Sequence, residues 1–235
     1  MKYMGSKNRI AKEILPIILE HKNNVRFYIE PFVGGANIID KVDKSLNRIG
    51  FDLNPYLIAL LQALQNDNWI YPKEYDNEYY KYVRDNKDKF DKAVVGFIGL
   101  NCYGGGFFDG FRRDSLGKRN YYIEYCNNLD KQRVNLKNIE FICSDYKNII
   151  FPDKPCIIYC DPPYFNTKKY KYNNIDYNEF WDWCRELSKK HFIYISSFEA
   201  PEDFKCIWQK ERCVSLTKDT GSKKNIEKLF IKKRI

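Results

Sequence analysis

Short apolar strands alternate with helices along most of this chain, and that alternation limits the available folds more than any other feature. Runs rich in Ile, Val, Phe and Tyr predict strands at 25–30, 48–52, 139–143, 155–160, 192–197 and 227–235. Helical spacing of apolar residues predicts helices at 6–22, about 37–47, 54–66 and 176–190. Strands that alternate with helices predict an α/β fold built on a doubly wound sheet.

Two of the predicted helices carry start signals. Ser6 is expected to cap the first helix, and Pro16 is expected to kink it or to mark a break. Asn54 followed by Pro55 marks the start of the helix at 54–66, because Asn is a good helix cap and Pro fits the first helical position.

The alternation stops between 67 and 138, where the chain is polar, charged and rich in tyrosine, with a glycine cluster near the middle. A chain of 235 residues suits one domain with an insertion. We therefore predict a main domain formed by 1–66 and 139–235 and an inserted subdomain at 67–138. The insertion is expected to hold a helix or two around a glycine-rich loop.

The charge balance favours a polyanionic partner. Lys and Arg outnumber Asp and Glu by 40 to 31, which gives a net charge of +9. A lysine-rich composition inherited from an AT-rich genome is the alternative. The eight cysteines form no C-x-x-C pair and there are two histidines, so no metal is expected. Without a signal peptide or an apolar stretch of 18 residues, a cytoplasmic protein with no membrane partner is expected.

Polar residues follow the first two strands, at the sheet edge where doubly wound folds bind ligands. Gly34 and Gly35 permit a tight turn after the first strand, and Asp52 ends the second, 18 residues after Gly34. The dinucleotide fingerprint G-x-G-x-x-G is absent. A ligand with a ribose but no pyrophosphate fits both observations, and S-adenosylmethionine is such a ligand. Structural turn glycines and a capping aspartate are the alternatives.

The segment "DPPY" (161–164) follows a buried strand and suits an amino group on an aromatic ring. The Asp161 carboxylate and the Pro162 carbonyl can each accept a hydrogen bond from an –NH2 group. The two prolines make the segment rigid, and Tyr164 can stack on a flat ring. A turn with a helix-capping aspartate is the alternative.

Taken together, these motifs resemble those of the Dam-type, D12 class adenine-specific DNA methyltransferases. The insertion looks closer to that of phage or prophage members than to that of the best-known Dam enzymes. The resemblance covers nearly the whole chain and rests on "KYMGSKNRI" (2–10), "EPFVGGANI" (30–38), "FDLNPYLI" (51–58), "CSDY" (143–146) and "DPPY". It implies a Rossmann-like, S-adenosylmethionine-dependent methyltransferase sheet with an inserted, mainly helical DNA-recognition subdomain. The implied reaction is methylation of adenine N6 in duplex DNA after base flipping.

The resemblance also implies site residues. Asp161, Pro162 and Tyr164 are expected to be catalytic. Lys7 is expected to pair with the methionine carboxylate, although a solvated surface lysine is the alternative reading from the residue alone. Asp52 is expected to bind the ribose, and Asp145 or Tyr146 to adjoin the cofactor adenine. The full set of expected cofactor contacts is Tyr3, Lys7, Pro31, Phe32, Gly34, Gly35, Asp52, Asp145, Tyr146 and Asp161.

The insertion and the loop after Tyr164 are expected to contact DNA. Arginines bind phosphates or guanine edges, and aromatic residues enter base stacks. The expected contacts are Tyr103, Arg112, Arg113, Lys118, Arg119, Lys168 and Lys169. A surface loop with solvated charges is the alternative. The target sequence, GATC or another, is left open.

Two rival functions remain at this point. The amino-group clamp would also serve a methyltransferase that acts on cytosine N4, RNA or a glutamine amide. A DNA-binding protein that has lost catalysis is the rival from another class. A monomer is expected, with a dimer on DNA as the alternative.

Overall fold

A computed structural model describes residues 1–102, 106–114, 116–163, 175–215 and 222–233. Seven strands form one sheet in the order β3-β2-β1-β4-β5-β7-β6. Their bounds are β1 Phe27–Glu30, β2 Asn47–Asp52, β3 Ile139–Cys143, β4 Ile157–Cys160, β5 Phe192–Ser197, β6 Phe204–Ser215 and β7 Ser222–Lys232.

The helices are α1 Ala11–Ile18, α2 Pro55–Gln65, α3 Asn77–Asp85, α4 Lys92–Leu100, α5 Tyr121–Leu136 and α6 Tyr177–Ser188. Short 3₁₀ turns lie at Lys22–Asn24, Ile39–Lys41, Lys87–Lys89 and Tyr146–Asn148. Within the described ranges, no helix combines the length and the apolar character needed to cross a bilayer.

The sheet is parallel from β3 through β5, and β7 runs antiparallel to both β5 and β6. The strand β1 pairs with β2 on one side and with β4 on the other, so the strand order reverses at β1. Helices cover both faces, which explains why β4 is buried along its whole length and carries a continuous apolar run. The predicted doubly wound α/β fold is confirmed.

Two hydrophobic cores lie on opposite faces of the sheet. The larger contains the apolar sides of α1, α2, α4 and α5, with Leu57, Leu61 and Phe97 fully buried in it. The smaller contains α6, from which Phe180 and Cys184 pack under β4 and β5. The predicted cap of α2 is confirmed, since Asn54 Oδ1 accepts the backbone N–H groups of Tyr56 and Leu57.

The interval 67–138 contains three helices rather than one or two. α4 packs very closely on α2: a Cβ on Gly96 would lie 2.1 Å from the Tyr56 carbonyl oxygen. α5 also joins the main body, because the Arg133 guanidinium donates to the carbonyls of Leu64, Asn66 and Trp69. The domain division at 67 and 138 stays a prediction.

The prediction for the first helix was too long. α1 covers Ala11–Ile18. Ile10 occupies its N-cap position and makes no side-chain cap, and the Ser6 hydroxyl instead accepts the N–H of Asn8. Gly5 has a φ of 76°, outside the right-handed helical region, so the chain turns before the helix starts. Pro16 lies inside α1, which ends two residues later.

One further element prediction was wrong, and one strand was missed. The helix expected at about 37–47 is a single 3₁₀ turn, because Val42 is extended and Asp43 accepts the Ser45 N–H in a turn. Its apolar residues still reach the core, so the spacing signalled burial and not helix. The strand β6 was not predicted, and β7 starts before the predicted strand at 227–235 because the two form a long hairpin.

Candidate active site

A cavity of about 270 Å³ opens at the carboxyl ends of β1 and β4, where the strand order reverses. Doubly wound sheets bind ligands at such points. Its lining includes eight residues that the sequence predicted for cofactor or substrate: Tyr3, Lys7, Phe32, Gly34, Gly35, Asp52, Asp161 and Pro162.

A smaller cavity of about 70 Å³ adjoins the first and is lined by the other three predicted cofactor residues, Pro31, Asp145 and Tyr146. The two cavities share Phe32 and Asp52 as common walls. The rings of Phe32 and Tyr146 lie 5.3 Å apart between centroids. The Tyr146 hydroxyl is buried and has no hydrogen-bond partner among the described residues.

The glycine turn after β1 holds the N-terminal segment against the cavity. Gly34 has a φ of 48°, which favours glycine. A Cβ on Gly34 would lie 2.8 Å from Tyr3 Cε1, and one on Gly35 would lie 2.7 Å from Tyr3 Cβ. The two glycines therefore allow the close approach of Tyr3, in addition to the turn itself.

Asp52 joins the second strand to this turn. Its carboxylate accepts the N–H of Gly34 at 3.1 Å and the N–H of Asn54 at 2.9 Å. Burial raises its pKa to about 6, against the lowering effect of these backbone hydrogen bonds. The capping of α2 falls to Asn54, so Asp52 is not merely a helix cap.

Lys7 lies inside the cavity, with its side chain 3% exposed. Its ammonium is 2.8 Å from Asp161 Oδ1 and 3.7 Å from Glu227 Oε2, and it donates to the Gly5 carbonyl at 2.9 Å. The alternative that Lys7 is a solvated surface lysine is therefore wrong. The partner expected from the sequence, a cofactor carboxylate, stays a prediction.

The sequence reasoning missed two acidic residues of this site, Glu30 and Glu227. Glu30 is buried, accepts the Tyr28 hydroxyl at 2.8 Å, and has a pKa raised well above its usual value by burial. Its position at the end of β1, like that of Asp52 at the end of β2, was the available signal. Glu227 had no such signal, because it lies on the antiparallel strand β7.

The segment after β4 is tied to α6. Pro162 is buried, and the Tyr177 hydroxyl donates to the Pro163 carbonyl. Asp176 caps α6 by accepting the N–H groups of Asn178 and Glu179. Tyr164 lies outside the described residues.

The predicted DNA contacts that the structure describes lie in the interval 67–138. Arg112, Arg113 and Arg119 line a cavity of about 340 Å³ in the insertion. Arg112 and Arg119 both pair with Glu124, at 3.2 and 2.5 Å, and both lie over the Tyr121 ring. Lys118 is exposed beside them. Tyr103, Lys168 and Lys169 lie outside the described residues.

In the part of the chain that the structure describes, no group of three or more His, Cys, Asp or Glu side chains is arranged to hold a metal ion. The described lining of the large cavity, the one at β1 and β4, contains one lysine, Lys7, and four carboxyl groups, those of Glu30, Asp52, Asp161 and Glu227.

Comparison with known proteins places the chain. The family model for D12 class N6 adenine-specific DNA methyltransferases matches residues 3–101 and 109–216. The chain is 29% identical to type II methyltransferase M.MjaIII of Methanocaldococcus jannaschii, over 81% of this chain and 80% of that protein. It is 27% identical to the DNA adenine methylase of Haemophilus influenzae, over 70% of this chain and 63% of that protein.

Type II methyltransferase M.FokI of Planomicrobium okeanokoites is 23% identical over 79% of this chain, which spans 31% of that longer protein. The matches do not favour a cytosine-N4 or RNA methyltransferase, or a silent DNA-binding protein. The chain belongs to the D12 class of N6 adenine-specific DNA methyltransferases, enzymes whose methyl donor is S-adenosylmethionine.

Proposed function

We propose that the large cavity at β1 and β4 and the cavity of about 70 Å³ beside it together hold S-adenosylmethionine. The methionine would occupy the large cavity and the adenine the small one. The observation that carries this proposal is their shared wall at Asp52 and Phe32. A ligand that extends through both cavities passes Asp52, whose carboxylate can accept the ribose hydroxyls. The aromatic rings of Phe32 and Tyr146 suit a flat base, and the ionic groups at the other end suit an amino acid.

The charge of the large cavity supports the same ligand. Asp52, Asp161 and Glu227 line it beside one ammonium, that of Lys7. A fourth carboxyl group, that of Glu30, adds less charge because burial raises its pKa. Bound there, S-adenosylmethionine supplies a methyl group on a positively charged sulfur, already activated for transfer. An acidic cavity favours the cationic donor over the neutral product, which has lost the sulfonium charge, and so assists product release.

Asp161 and Pro162 form the proposed clamp for the adenine amino group. The amine offers two N–H donors, which the Asp161 carboxylate and the Pro162 carbonyl can accept. Two hydrogen bonds on one nitrogen favour a tetrahedral geometry that directs its lone pair at the methyl group. The carboxylate then stabilises the positive charge that develops on the nitrogen.

Lys7 is proposed to lie between the amino-group clamp and the carboxylate of the cofactor. Its ion pair with Asp161 compensates the carboxylate before substrate enters. When the amine engages Asp161, the ammonium can shift toward the cofactor carboxylate that the sequence predicts as its partner. Glu227, 3.7 Å away, keeps the lysine within the cavity during that exchange.

The adenine is proposed to reach this site from duplex DNA by base flipping, because a stacked and paired base cannot enter a cavity of this kind. The exposed Arg113 and Lys118 are proposed to contact phosphates. Arg112 and Arg119 are already oriented by Glu124 and so suit more specific contacts. Four further contacts to DNA stay predictions: stacking by Tyr164 and binding by Tyr103, Lys168 and Lys169. The monomeric state of the enzyme also stays a prediction.

The test is methylation of mixed-sequence duplex DNA with tritiated S-adenosylmethionine, followed by digestion and chromatography of the nucleosides. We expect label in N6-methyladenine. Asp161→Ala is expected to abolish transfer while cofactor binding is partly retained. Label in N4-methylcytosine would keep the amino-group clamp but overturn adenine as its substrate. Methylation by Asp161→Ala at the wild-type rate would contradict the clamp itself.

A further inference from the structure

One side chain of α5 contacts the glycine turn of the proposed cofactor site. Gln132 is buried at 5% exposure. Its Nε2 donates to the carbonyls of Gly35 at 2.9 Å and Ala36 at 3.2 Å, and lies 3.1 Å from Asp40 Oδ2. Its Oε1 accepts from the amino group of Met1 at 2.5 Å, in the segment that carries Tyr3 and Lys7.

The turn needs such a support because its backbone is strained. Ala36 has a φ of 54°, in the left-handed region that favours glycine. A residue other than glycine keeps this conformation only where its surroundings hold it. Asp52 holds the cavity side of the turn through the Gly34 N–H, and Gln132 holds the far side through two carbonyls.

We propose that Gln132 is a positioning residue for cofactor binding, which fixes the turn at 34–36 in the conformation that receives S-adenosylmethionine. The inference rests on the proposed function of the large cavity. It gives a cofactor role to a residue from the interval expected to recognise DNA. Because Gln132 acts through the turn and touches no reacting atom, its loss weakens binding more than the chemical step.

The test compares two glutamines with similar hydrogen bonds in different places. Gln132→Met removes the amide donor at nearly constant side-chain length. Gln65→Met is the matched control, since Gln65 Nε2 also donates to two backbone carbonyls, those of Leu136 and Ile139, both at 2.7 Å. Cofactor Kd is measured by titration calorimetry, kcat and KM by methyl transfer, and folding by thermal melting.

We expect Gln132→Met to raise Kd and KM for S-adenosylmethionine about tenfold, with kcat at saturating cofactor within about threefold of wild type. Gln65→Met is expected to lower Tm without changing Kd. Gln132→Glu, which also lacks the donor and adds a charge near Asp40, is expected to weaken binding at least as much. A Kd within twofold of wild type in either Gln132 variant overturns the inference. Wild-type protein that binds no cofactor would instead overturn the proposed function.

Discussion

Lys7 shows how far a single side chain depends on its neighbours. By residue type it is an ordinary surface lysine, yet here it is buried between Asp161 and Glu227. A buried ammonium is tolerated only with paired charges around it. The same dependence applies to Asp52 and Glu30, whose burial raises their pKa values. The chemistry of this site is therefore a property of the group of residues that surround the cavity.

Because the pKa of Asp52 is raised in the folded protein, Asp52 should make the free energy of unfolding depend on pH. The folded value is about 6 against an ordinary 3.8, so the folded protein keeps this proton where the unfolded chain has lost it. The contribution of Asp52 to stability should therefore fall by about 3 kcal/mol as pH rises from about 4 to about 6. In Asp52→Asn, which does not ionise, urea unfolding from pH 4 to 7 should show a pH dependence that differs from wild type by this amount, while Glu30, whose pKa is also raised, still contributes.

Asp43→Asn is the control for Asp52→Asn. Asp43 is half-buried, and its hydrogen bond with Lys22 lowers its pKa. Its effect on stability therefore has the opposite sign and lies at lower pH. The variant should keep the wild-type decrease between pH 4 and 6. An Asp52→Asn variant with the same pH dependence of stability as wild type would contradict the assignment to Asp52.

At the scale of elements, the positions of the helices depend on how closely they pack. α4 reaches α2 because Gly96 offers no side chain at the contact. Its apolar run could be seen in the sequence, but its partner could not, because α2 lies about thirty residues earlier. Likewise α5 is tied to the main body by Arg133 and Gln132, two polar residues that no periodicity marks as buried contacts.

Gly96→Ala tests the contact between α2 and α4. The added Cβ would lie 2.1 Å from the Tyr56 carbonyl oxygen and 3.1 Å from Leu60 Cβ, so the two helices must separate. We expect a loss of about 2–3 kcal/mol in the free energy of unfolding, measured in urea. Lys92→Ala, at an exposed position of the same helix, should change stability by no more than about 0.5 kcal/mol.

The sign of the Gly96→Ala effect is informative. Alanine is the better helix former by about 1 kcal/mol, so propensity alone would stabilise the variant. A variant more stable than wild type would show that the helices do not pack at this distance.

The molecule as a whole combines a positive net charge with a cavity lined by acidic groups. The chain has a net charge of +9, whereas acidic groups surround the large cavity. A basic exterior attracts a polyanion, and an enclosed acidic cavity suits a cationic donor. The two interactions should respond differently to salt, because exposed charges are screened far more than buried ones.

The expected result is a steep salt dependence for DNA alone. If the protein neutralises about four phosphates, its affinity for duplex DNA should fall about 100-fold between 50 and 200 mM salt. The affinity for S-adenosylmethionine should change by less than about threefold over that range. Fluorescence anisotropy with a labelled duplex and calorimetry with the cofactor measure the two. DNA binding that is insensitive to salt would contradict an electrostatic DNA surface.

The sequence by itself determined the parallel part of the sheet, from β1 to β5, and the edge at which its polar residues meet. Gly34, Asp52 and Asp161 each follow a strand, and parallel strands end on one side, so local patterns were sufficient to bring them together. Only the tertiary structure decided the partners of Lys7, the presence of Glu227 in the site and the support of the turn by Gln132. These contacts join residues far apart in the chain, through an antiparallel hairpin and a helix of the insertion. No local sequence pattern predicts such contacts, because they depend on how complete helices and strands pack against each other.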